Sequence, residues 1–239
     1  MAKLSTVLFD YGNTLIAFGP DQQLAQAAAM TEVLSQAGLS VDEDKLTAVR
    51  KDQIMRPYRS GGKENVFEEV CREVVELAGP DASGEITRAL MMARQKAFIE
   101  SVTVNPEVLS LLERLGKRYR LGFLSNYPCS HSIVSSLKQL GMHDFFESVV
   151  VSADVGFAKP HPDTYGTLIK EMSLDPAEAV YVGDNWLADV QGAKRAGMRA
   201  IWVREHIPYE TFEPEPGDIQ PDAEIESLSE LESLLNSWA

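Results

Sequence analysis

Five short runs of apolar residues, each about as long as one β-strand, limit the folds open to this chain. They lie at residues 6–9, 121–124, 148–151, 179–182 and 200–203. Each run is apolar almost throughout, as expected for strands that are covered on both faces of a parallel sheet. Helical segments at 130–140, 162–172 and 187–196 separate the last four runs. This alternation predicts a doubly wound, Rossmann-like α/β fold with five or more parallel strands.

The stretch between the first two runs breaks this alternation. It contains no strand-like run, but it has four helical segments, at 22–37, 42–55, 65–77 and 85–99. We therefore predict an all-helical cap domain over residues 18–101, inserted after the first strand of an α/β core formed by residues 1–17 and 102–239. A helix over 106–115, a surface loop over 205–222 and a closing helix over 228–238 complete the predicted core.

Charge and composition restrict the partners of the chain. The formal net charge is −14 over 239 residues, and this lack of surplus Lys and Arg argues against nucleic acid or an anionic membrane as a partner. No stretch reaches the ~20 apolar residues of a membrane span, and the short apolar start is unlike a secretory signal. We expect a cytoplasmic protein whose two cysteines are reduced thiols.

The segments that follow the predicted strands carry polar chemistry. Asp10 follows the first run, Ser125 and Asn126 the second, Lys159 the third, and Asp184 and Asp189 the fourth. In an open parallel sheet, ligands bind beyond the carboxyl ends of the strands. Carboxylates, a hydroxyl and a lysine on one rim suit phosphoryl transfer, in which negative charge has to be neutralised and aligned.

These segments resemble the four ordered motifs of the haloacid dehalogenase superfamily, whose members are mostly phosphatases. Motif one matches residues 9–15, motif two residues 124–126, motif three Lys159-Pro160, and motif four Gly183-Asp184 with Asp189. The resemblance covers the core, about residues 3–202, and the helical insertion, which matches the family's type one cap. Each motif alone is weak evidence for the family, but four motifs in order, each after its own strand, are a specific signal.

The resemblance implies a magnesium-dependent hydrolase that attacks a small-molecule phosphate ester with the carboxylate of Asp10, through an aspartyl-phosphate. It implies that Mg²⁺ is held by Asp10, the backbone carbonyl of Gly12 and Asp184. Asp189 then holds a metal-bound water or orients Lys159.

The same resemblance assigns the residues that bind the phosphate. Lys159 offsets negative charge on the phosphoryl group and fixes the nucleophile. Ser125 donates its hydroxyl and Asn126 its backbone N–H to phosphoryl oxygens. Thr14 belongs with them and orients the Asp10 loop through its hydroxyl.

Motif one departs from the pattern of most phosphatases of the superfamily. They read Asp-x-Asp, and the second Asp protonates the leaving alcohol, whereas this chain has Gly12 at that position. General acid–base help is worth roughly 10²–10⁴-fold in rate, so we expect esters with good leaving groups to react best.

Two other functions remain open. The 2-haloacid dehalogenases also lack the second Asp, but they use no metal and do not need the Gly-Asp and Asp189 pattern kept here. A weakly active member that binds phosphorylated ligands or a protein is the third reading.

The most cationic segment of the predicted cap, residues 55–63, is also its least helical part. Arg56, Tyr58, Arg59 and Lys63 are the candidates there for contacts with substrate beyond the phosphate.

Overall fold

The apolar runs pair side by side in one parallel sheet, as predicted. The computed structural model describes residues 2–79, 84–206 and 212–238. The strands are β1 (Thr6–Phe9), β2 (Arg120–Ser125), β3 (Ser148–Val151), β4 (Ala179–Gly183), β5 (Arg199–Val203) and β6 (Ala223–Ile225). Their spatial order is β3-β2-β1-β4-β5-β6, which confirms the doubly wound sheet of five or more strands. The sixth strand lies just after the segment that we predicted to be a loop, and residues 207–211 of that loop lie outside the described residues.

Strand β1 is the central element because it pairs with β2 on one side and with β4 on the other. Its side chains alternate between the two faces of the sheet. Val7 and Phe9 belong to one buried apolar cluster, and Leu8 belongs to the cluster on the opposite face. All three side chains are fully buried, so both faces of β1 are covered, as its continuous apolar sequence predicts.

A block of helices follows β1, which confirms the predicted helical insertion. It consists of α1 (Pro20–Gln36), α2 (Glu43–Arg59), α3 (Phe67–Ala78) and α4 (Gly84–Ser101). These helices bury an apolar cluster of their own, which includes Met30, Val74 and Leu90. Cys129 from the core packs into the same cluster. The proposed domain bounds, 18–101 for the cap and 1–17 with 102–239 for the core, stay a prediction.

Helix α2 is longer than predicted, because Pro57 lies inside it instead of ending it. A proline has no N–H to donate to the carbonyl four residues earlier, so an internal proline normally breaks a helix. Here the Asn65 side-chain amide donates to the Gln53 carbonyl at 2.8 Å instead. The expectation that 55–63 is the least helical part of the cap is therefore wrong for residues up to Arg59.

The remaining helices cover the sheet. They are α5 (Pro106–Gly116), α6 (Ser130–Gln139), α7 (Ser152–Val155), α8 (Pro162–Met172), α9 (Gly192–Arg195) and α10 (Leu231–Ser237). A π-helical segment, Trp186–Gln191, leads directly into α9. Residues of α5, α6 and α10 join the cluster of Val7, whereas residues of α8 and α9 join that of Leu8. In the described part of the chain, no helix has both the length and the apolar character needed to cross a membrane.

Gly122 in β2 tests the close packing of this sheet against α8. A Cβ atom added at Gly122 would lie 2.5 Å from Met172 Sδ and 2.7 Å from Leu8 Cδ2. We expect Gly122→Ala to lower the free energy of unfolding by about 1–3 kcal/mol, since overpacked cores have to shift side chains and backbone. Urea denaturation measures this change.

The matched control for Gly122→Ala is Gly166→Ala in the middle of α8. No heavy atom lies within 4 Å of a Cβ added there. Alanine favours a helix over glycine by roughly 0.8–1 kcal/mol, so this variant should be at least as stable as wild type. If both variants unfold at the wild-type urea concentration, the described contact between β2 and α8 is wrong.

Candidate active site

The carboxyl ends of the three central strands bring the predicted polar residues together. Asp10 follows β1, Ser125 ends β2, and Asp184 follows β4. The backbone N–H of Asp10 donates to the carbonyl of Val182 at 3.0 Å, which continues the β1–β4 ladder past the end of β1. This extra hydrogen bond places the Asp10 side chain on the same rim as Asp184.

Lys159 is the centre of this rim. Its side chain is 2% exposed, and its Nζ atom lies 2.6 Å from Asp10 Oδ1 and 2.8 Å from Asp189 Oδ1. The ammonium also donates to the Tyr181 hydroxyl at 2.8 Å and to the Leu124 carbonyl at 3.1 Å. Burial disfavours the charged amine, but Asp10 and Asp189 outweigh burial and raise the pKa of Lys159 above its ordinary value. Lys159 is therefore a buried cation shared by two carboxylates.

Asn126 fixes the backbone that carries Lys159. The Asn126 side chain accepts from the Lys159 N–H at 2.7 Å and donates to the Lys159 carbonyl at 2.9 Å. These two bonds tie the residue after β2 to the loop after β3. The Asn126 side chain thus positions Lys159. The backbone N–H of Asn126 is the group that is left for a contact with a phosphoryl group.

Three carboxylates meet beside Lys159. One carboxylate oxygen from each of Asp10, Asp184 and Asp189 lies within 4.8 Å of the others. Asp189 is held on both sides, since its Oδ2 atom accepts from the Asn185 N–H at 2.9 Å while its Oδ1 atom meets Lys159. A buried group of three acids against one lysine carries surplus negative charge.

The pKa values of these acids reflect that surplus. Burial, followed by the charges of Asp10 and Asp189, raises the pKa of Asp184 well above its ordinary value. Burial also raises the pKa of Asp189 to about 6, although Lys159 acts in the opposite direction. Oxygen ligands of this kind suit a small divalent cation such as Mg²⁺, and such a cation would relieve the repulsion. The residues present therefore fit a metal site.

The loop after Asp10 turns back on itself. Asn13 has φ of 60°, in the left-handed region where Asn is well tolerated, and its Oδ1 atom accepts from the Phe18 N–H at 3.0 Å. Gly12 lines the cavity above the rim. Thr14 is 2% exposed, does not line that cavity, and its hydroxyl has no hydrogen-bond partner among the described residues.

A cavity of about 230 Å³ lies between this rim and the helical insertion. Core residues line one wall, and residues of α1, α2 and α4 line the other. A backbone bridge pairs Lys63 with Phe157 in antiparallel fashion, and the Glu64 N–H donates to the Gly156 carbonyl at 2.9 Å. The segment between α2 and α3 is thus joined to the loop that leads to Lys159.

Of the four candidates in the predicted cationic segment, Tyr58 lines the cavity. Its hydroxyl interacts with the Asn126 side chain, and burial raises its pKa above the ordinary range. The charges of Asp189, Lys159 and Asp10 all act on it, which places it close to the rim. Its ring also packs against Phe212, with ring centroids 4.7 Å apart.

The other three cationic-segment candidates do not line the cavity. Arg56 pairs with Glu73 at 2.7 Å and with Asp52 at 3.0 Å. Arg59 is exposed and also pairs with Asp52. Only the backbone of Lys63 takes part in the bridge to Phe157. The guanidinium groups of Arg56 and Arg59 thus pair with carboxylates of the helical insertion outside the cavity.

Sequence reasoning missed several cavity residues of the insertion. They are Gln23, Gln26, Arg50, Gln53, Glu64 and Arg94. A signal was present, since polar side chains three residues apart, such as Arg50 and Gln53, share one face of a helix. Such a face looks like an ordinary solvated one until the opposite wall of the cavity is known.

The comparisons with known proteins agree with this geometry. The family model described as haloacid dehalogenase-like hydrolase matches residues 7–203. A glyceraldehyde 3-phosphate phosphatase of Methanopyrus kandleri is 29% identical over 242 residues, which cover 99% of this chain and 99% of that protein.

Two solved structures share the fold over nearly the whole chain. A 2-haloacid dehalogenase from Pseudomonas syringae pv. Tomato DC3000 is 28% identical with a TM-score of 0.76, and the match covers 99% of this chain and 100% of that chain. The HAD-hydrolase YfnB of Bacillus subtilis, bound to magnesium, is 22% identical with a TM-score of 0.71, covering 98% and 100%.

The metal site is tested by replacing Asp184 with Asn. Because folding raises the pKa of Asp184, its ionised form costs stability at neutral pH, and that cost is present above its ordinary pKa. We expect metal-free Asp184→Asn to be at least as stable as wild type at pH 8. The free energy of unfolding of the wild-type protein should rise by about 2.7 kcal/mol when Mg²⁺ is at 100 times its dissociation constant.

Asp184→Asn should lose that gain from Mg²⁺. Thermal unfolding with EDTA and with graded Mg²⁺ measures both effects without any assay of activity. Asp144→Asn, at a fully exposed carboxylate, is the matched control and should keep the wild-type shift. A wild-type shift in Asp184→Asn would rule out Asp184 as a ligand.

Proposed function

The chain belongs to the haloacid dehalogenase-like hydrolase family, and we propose that it is a phosphatase that hydrolyses a small phosphorylated metabolite through an aspartyl-phosphate on Asp10. The observation that carries this proposal is the cluster around Lys159. Its ammonium lies 2.6 Å from the Asp10 carboxylate, and three carboxylates converge beside it. This arrangement supports a carboxylate nucleophile that attacks an anionic group.

Asp10 acts as the nucleophile. Its carboxylate oxygen attacks phosphorus, the ester P–O bond breaks, and the leaving oxygen departs with the bonding electrons. Water then attacks the acyl phosphate, which releases inorganic phosphate and restores Asp10. Lys159 orients the carboxylate and offsets charge, while Ser125 and the Asn126 N–H receive the phosphoryl oxygens.

Asp10, Asp184 and the Gly12 carbonyl are the groups that would hold the proposed metal ion. When bound, Mg²⁺ supplies positive charge that stabilises the transferring phosphoryl group. Asp189 stays in contact with Lys159 and the Asn185 N–H and so orients the lysine. The magnesium bound to YfnB, a protein of the same fold, supports this choice of ion.

Gly12 sets the kind of ester that reacts well. No side chain is present there to protonate the leaving oxygen, and a Cβ atom added at Gly12 would lie 3.3 Å from Phe18 Cβ. The place of the usual second acid is therefore bounded by an apolar side chain. Esters whose leaving group needs little protonation, such as acyl, anomeric or aryl phosphates, suit this site best.

The size of the cavity and the activity of the Methanopyrus kandleri relative favour a small substrate. A cavity of about 230 Å³ accommodates a metabolite rather than a polymer. The Methanopyrus kandleri relative is a glyceraldehyde 3-phosphate phosphatase, so a phosphorylated compound of a few carbons is the class we propose.

A 2-haloacid dehalogenase is the second candidate. The solved dehalogenase that is 28% identical over nearly the whole chain and the glycine at position 12 favour it. The buried cluster of Asp184 with Asp10 and Asp189 favours the phosphatase, because a dehalogenase that uses no metal has no need of a repelling acid there.

Asp10→Asn tests the nucleophile. We expect wild type to hydrolyse p-nitrophenyl phosphate with Mg²⁺, and Asp10→Asn to lose roughly 10³-fold or more of kcat, as when a nucleophile is removed. Asp144→Asn, at a fully exposed carboxylate, serves as the matched control and should keep wild-type turnover. Wild-type activity in Asp10→Asn would mean that another group attacks.

The two candidate functions separate in one parallel assay. Phosphate release from p-nitrophenyl phosphate and halide release from 2-chloropropionate are each measured with and without EDTA. The phosphatase predicts phosphate release that EDTA abolishes and no halide. Halide release that is insensitive to EDTA would establish the dehalogenase, and no product in either arm would favour the binding protein.

A further inference from the structure

Two arginines line the wall of the active-site cavity that the helical insertion provides. Arg50 lies on α2 and Arg94 on α4, and their side chains are only 9% and 8% exposed. Buried guanidinium groups are costly unless anionic or hydrogen-bonding partners satisfy them. Neither arginine is used by the proposed chemistry at Asp10.

Amide oxygens of α1 contact both arginines. Arg50 donates to the Gln23 carbonyl at 2.7 Å and to Gln23 Oε1 at 2.5 Å. Arg94 Nε donates to Gln26 Oε1 at 3.4 Å. The Gln26 amide oxygen orients the Arg94 guanidinium without cancelling its charge.

Arg94 keeps an unsatisfied donor in the cavity wall. Its Nη1 atom is buried and has no hydrogen-bond partner within the described residues. No carboxylate in the described ranges forms an ion pair with it, and its guanidinium lies 5.4 Å from the centre of the Phe67 ring. The guanidinium also interacts with the Tyr127 and Cys71 side chains. Nη1 still has no partner among the described residues, and an anionic oxygen of a ligand would satisfy it.

A second unsatisfied group lies on the same wall. Gln53 Oε1 is buried and has no hydrogen-bond partner within residues 2–79, 84–206 and 212–238, although its Nε2 atom donates to the Val70 carbonyl at 3.0 Å. Buried polar atoms without partners are rare in folded proteins. A donor beside the anionic group of a ligand, such as a hydroxyl, would satisfy Gln53.

The charges of the cavity are separated between its two walls. The acids Asp10, Asp184 and Asp189 lie on the core wall, whereas Arg50 and Arg94 lie on the opposite wall. Both arginines act on Tyr127, where they oppose the rise in pKa that burial causes, so both lie near this residue of the cavity. Glu64 also lines the cavity, but burial raises its pKa and favours its neutral form.

We propose that Arg94 binds a second anionic group of the substrate, a carboxylate or a second phosphate, while the first phosphate lies at Asp10. This subsite rests on the proposed function, because it assumes that a phosphoryl group occupies the Asp10 end. It assigns the substrate to compounds with two anionic groups separated by a short chain. Guanidinium groups recognise both carboxylate and phosphate oxygens, often with two hydrogen bonds.

The test uses phosphonates, which cannot be hydrolysed at the C–P bond by this chemistry. Titration calorimetry with Mg²⁺ compares butylphosphonate, 4-phosphonobutanoate and butane-1,4-bisphosphonate, together with their homologues of three to six carbons. We expect a compound with two anionic groups to bind about tenfold or more tightly than the alkylphosphonate of the same length. The carboxylate and bisphosphonate arms show which second group is preferred.

Arg94→Gln should abolish this preference, and Arg94→Lys should keep part of it. Arg88→Gln, which removes an exposed arginine from the same helix, is the matched control and should keep the preference. Equal binding of all three compounds by wild type at every length would overturn the subsite, as would a full preference in folded Arg94→Gln.

The two proposals fail in different assays. If wild type prefers the doubly anionic phosphonates but does not hydrolyse p-nitrophenyl phosphate, the subsite stands and the proposed function fails. If it hydrolyses the ester but binds all phosphonates equally, the function stands and the subsite fails.

Discussion

The buried ion cluster of Lys159 with Asp10 and Asp189 is the interaction on which the site depends. A buried ammonium is tolerated only when charges and hydrogen bonds replace its water. Here two carboxylates, the Tyr181 hydroxyl and the Leu124 carbonyl do so. These partners come from the ends of β1, β2 and β4 and from the segment after β4, so the cluster requires the sheet order in which β1 is central.

The same cluster connects chemistry to the helical insertion. Asn126 fixes the backbone of Lys159, and Tyr58 reaches Asn126 from the end of α2. The bridge between Lys63 and Phe157 joins the insertion to the loop before Lys159. A movement of the insertion would therefore shift the contacts that position Lys159, and through Lys159 those of Asp10.

The sheet and the rim could be predicted from sequence because their signals are local. A continuous apolar run identifies a buried strand, and the residue after it lies on the rim by geometry alone. Strand β6, Ala223–Ile225, was missed because three residues with a central Glu form no apolar run. Helix α2 was cut short because the contact of Asn65 with the Gln53 carbonyl joins residues that no local pattern relates.

The cavity wall of the insertion could not be predicted for the same reason. The sequence singles out Arg56 and Arg59 because they lie in a cationic segment, and Arg94 looks like an ordinary helix arginine. Only packing shows that Arg56 and Arg59 meet Asp52 whereas Arg94 lines the cavity. Local pattern therefore finds polar groups attached to the central strands, whereas the residues with which the helical insertion lines the cavity are found only in the tertiary structure.

Urea denaturation of Lys159→Met in EDTA tests the central interaction most directly. Removing one partner of a buried ion cluster leaves uncompensated charge, so we expect the free energy of unfolding to fall by about 3–5 kcal/mol. The loss should be larger at pH 8 than at pH 5.5, because carboxylates with raised pKa values take up protons at the lower pH. Asp189→Asn in the same chain should restore part of the loss, and Lys117→Met, at an exposed lysine, should stay near wild type. A Lys159→Met protein as stable as wild type at both pH values would contradict the account.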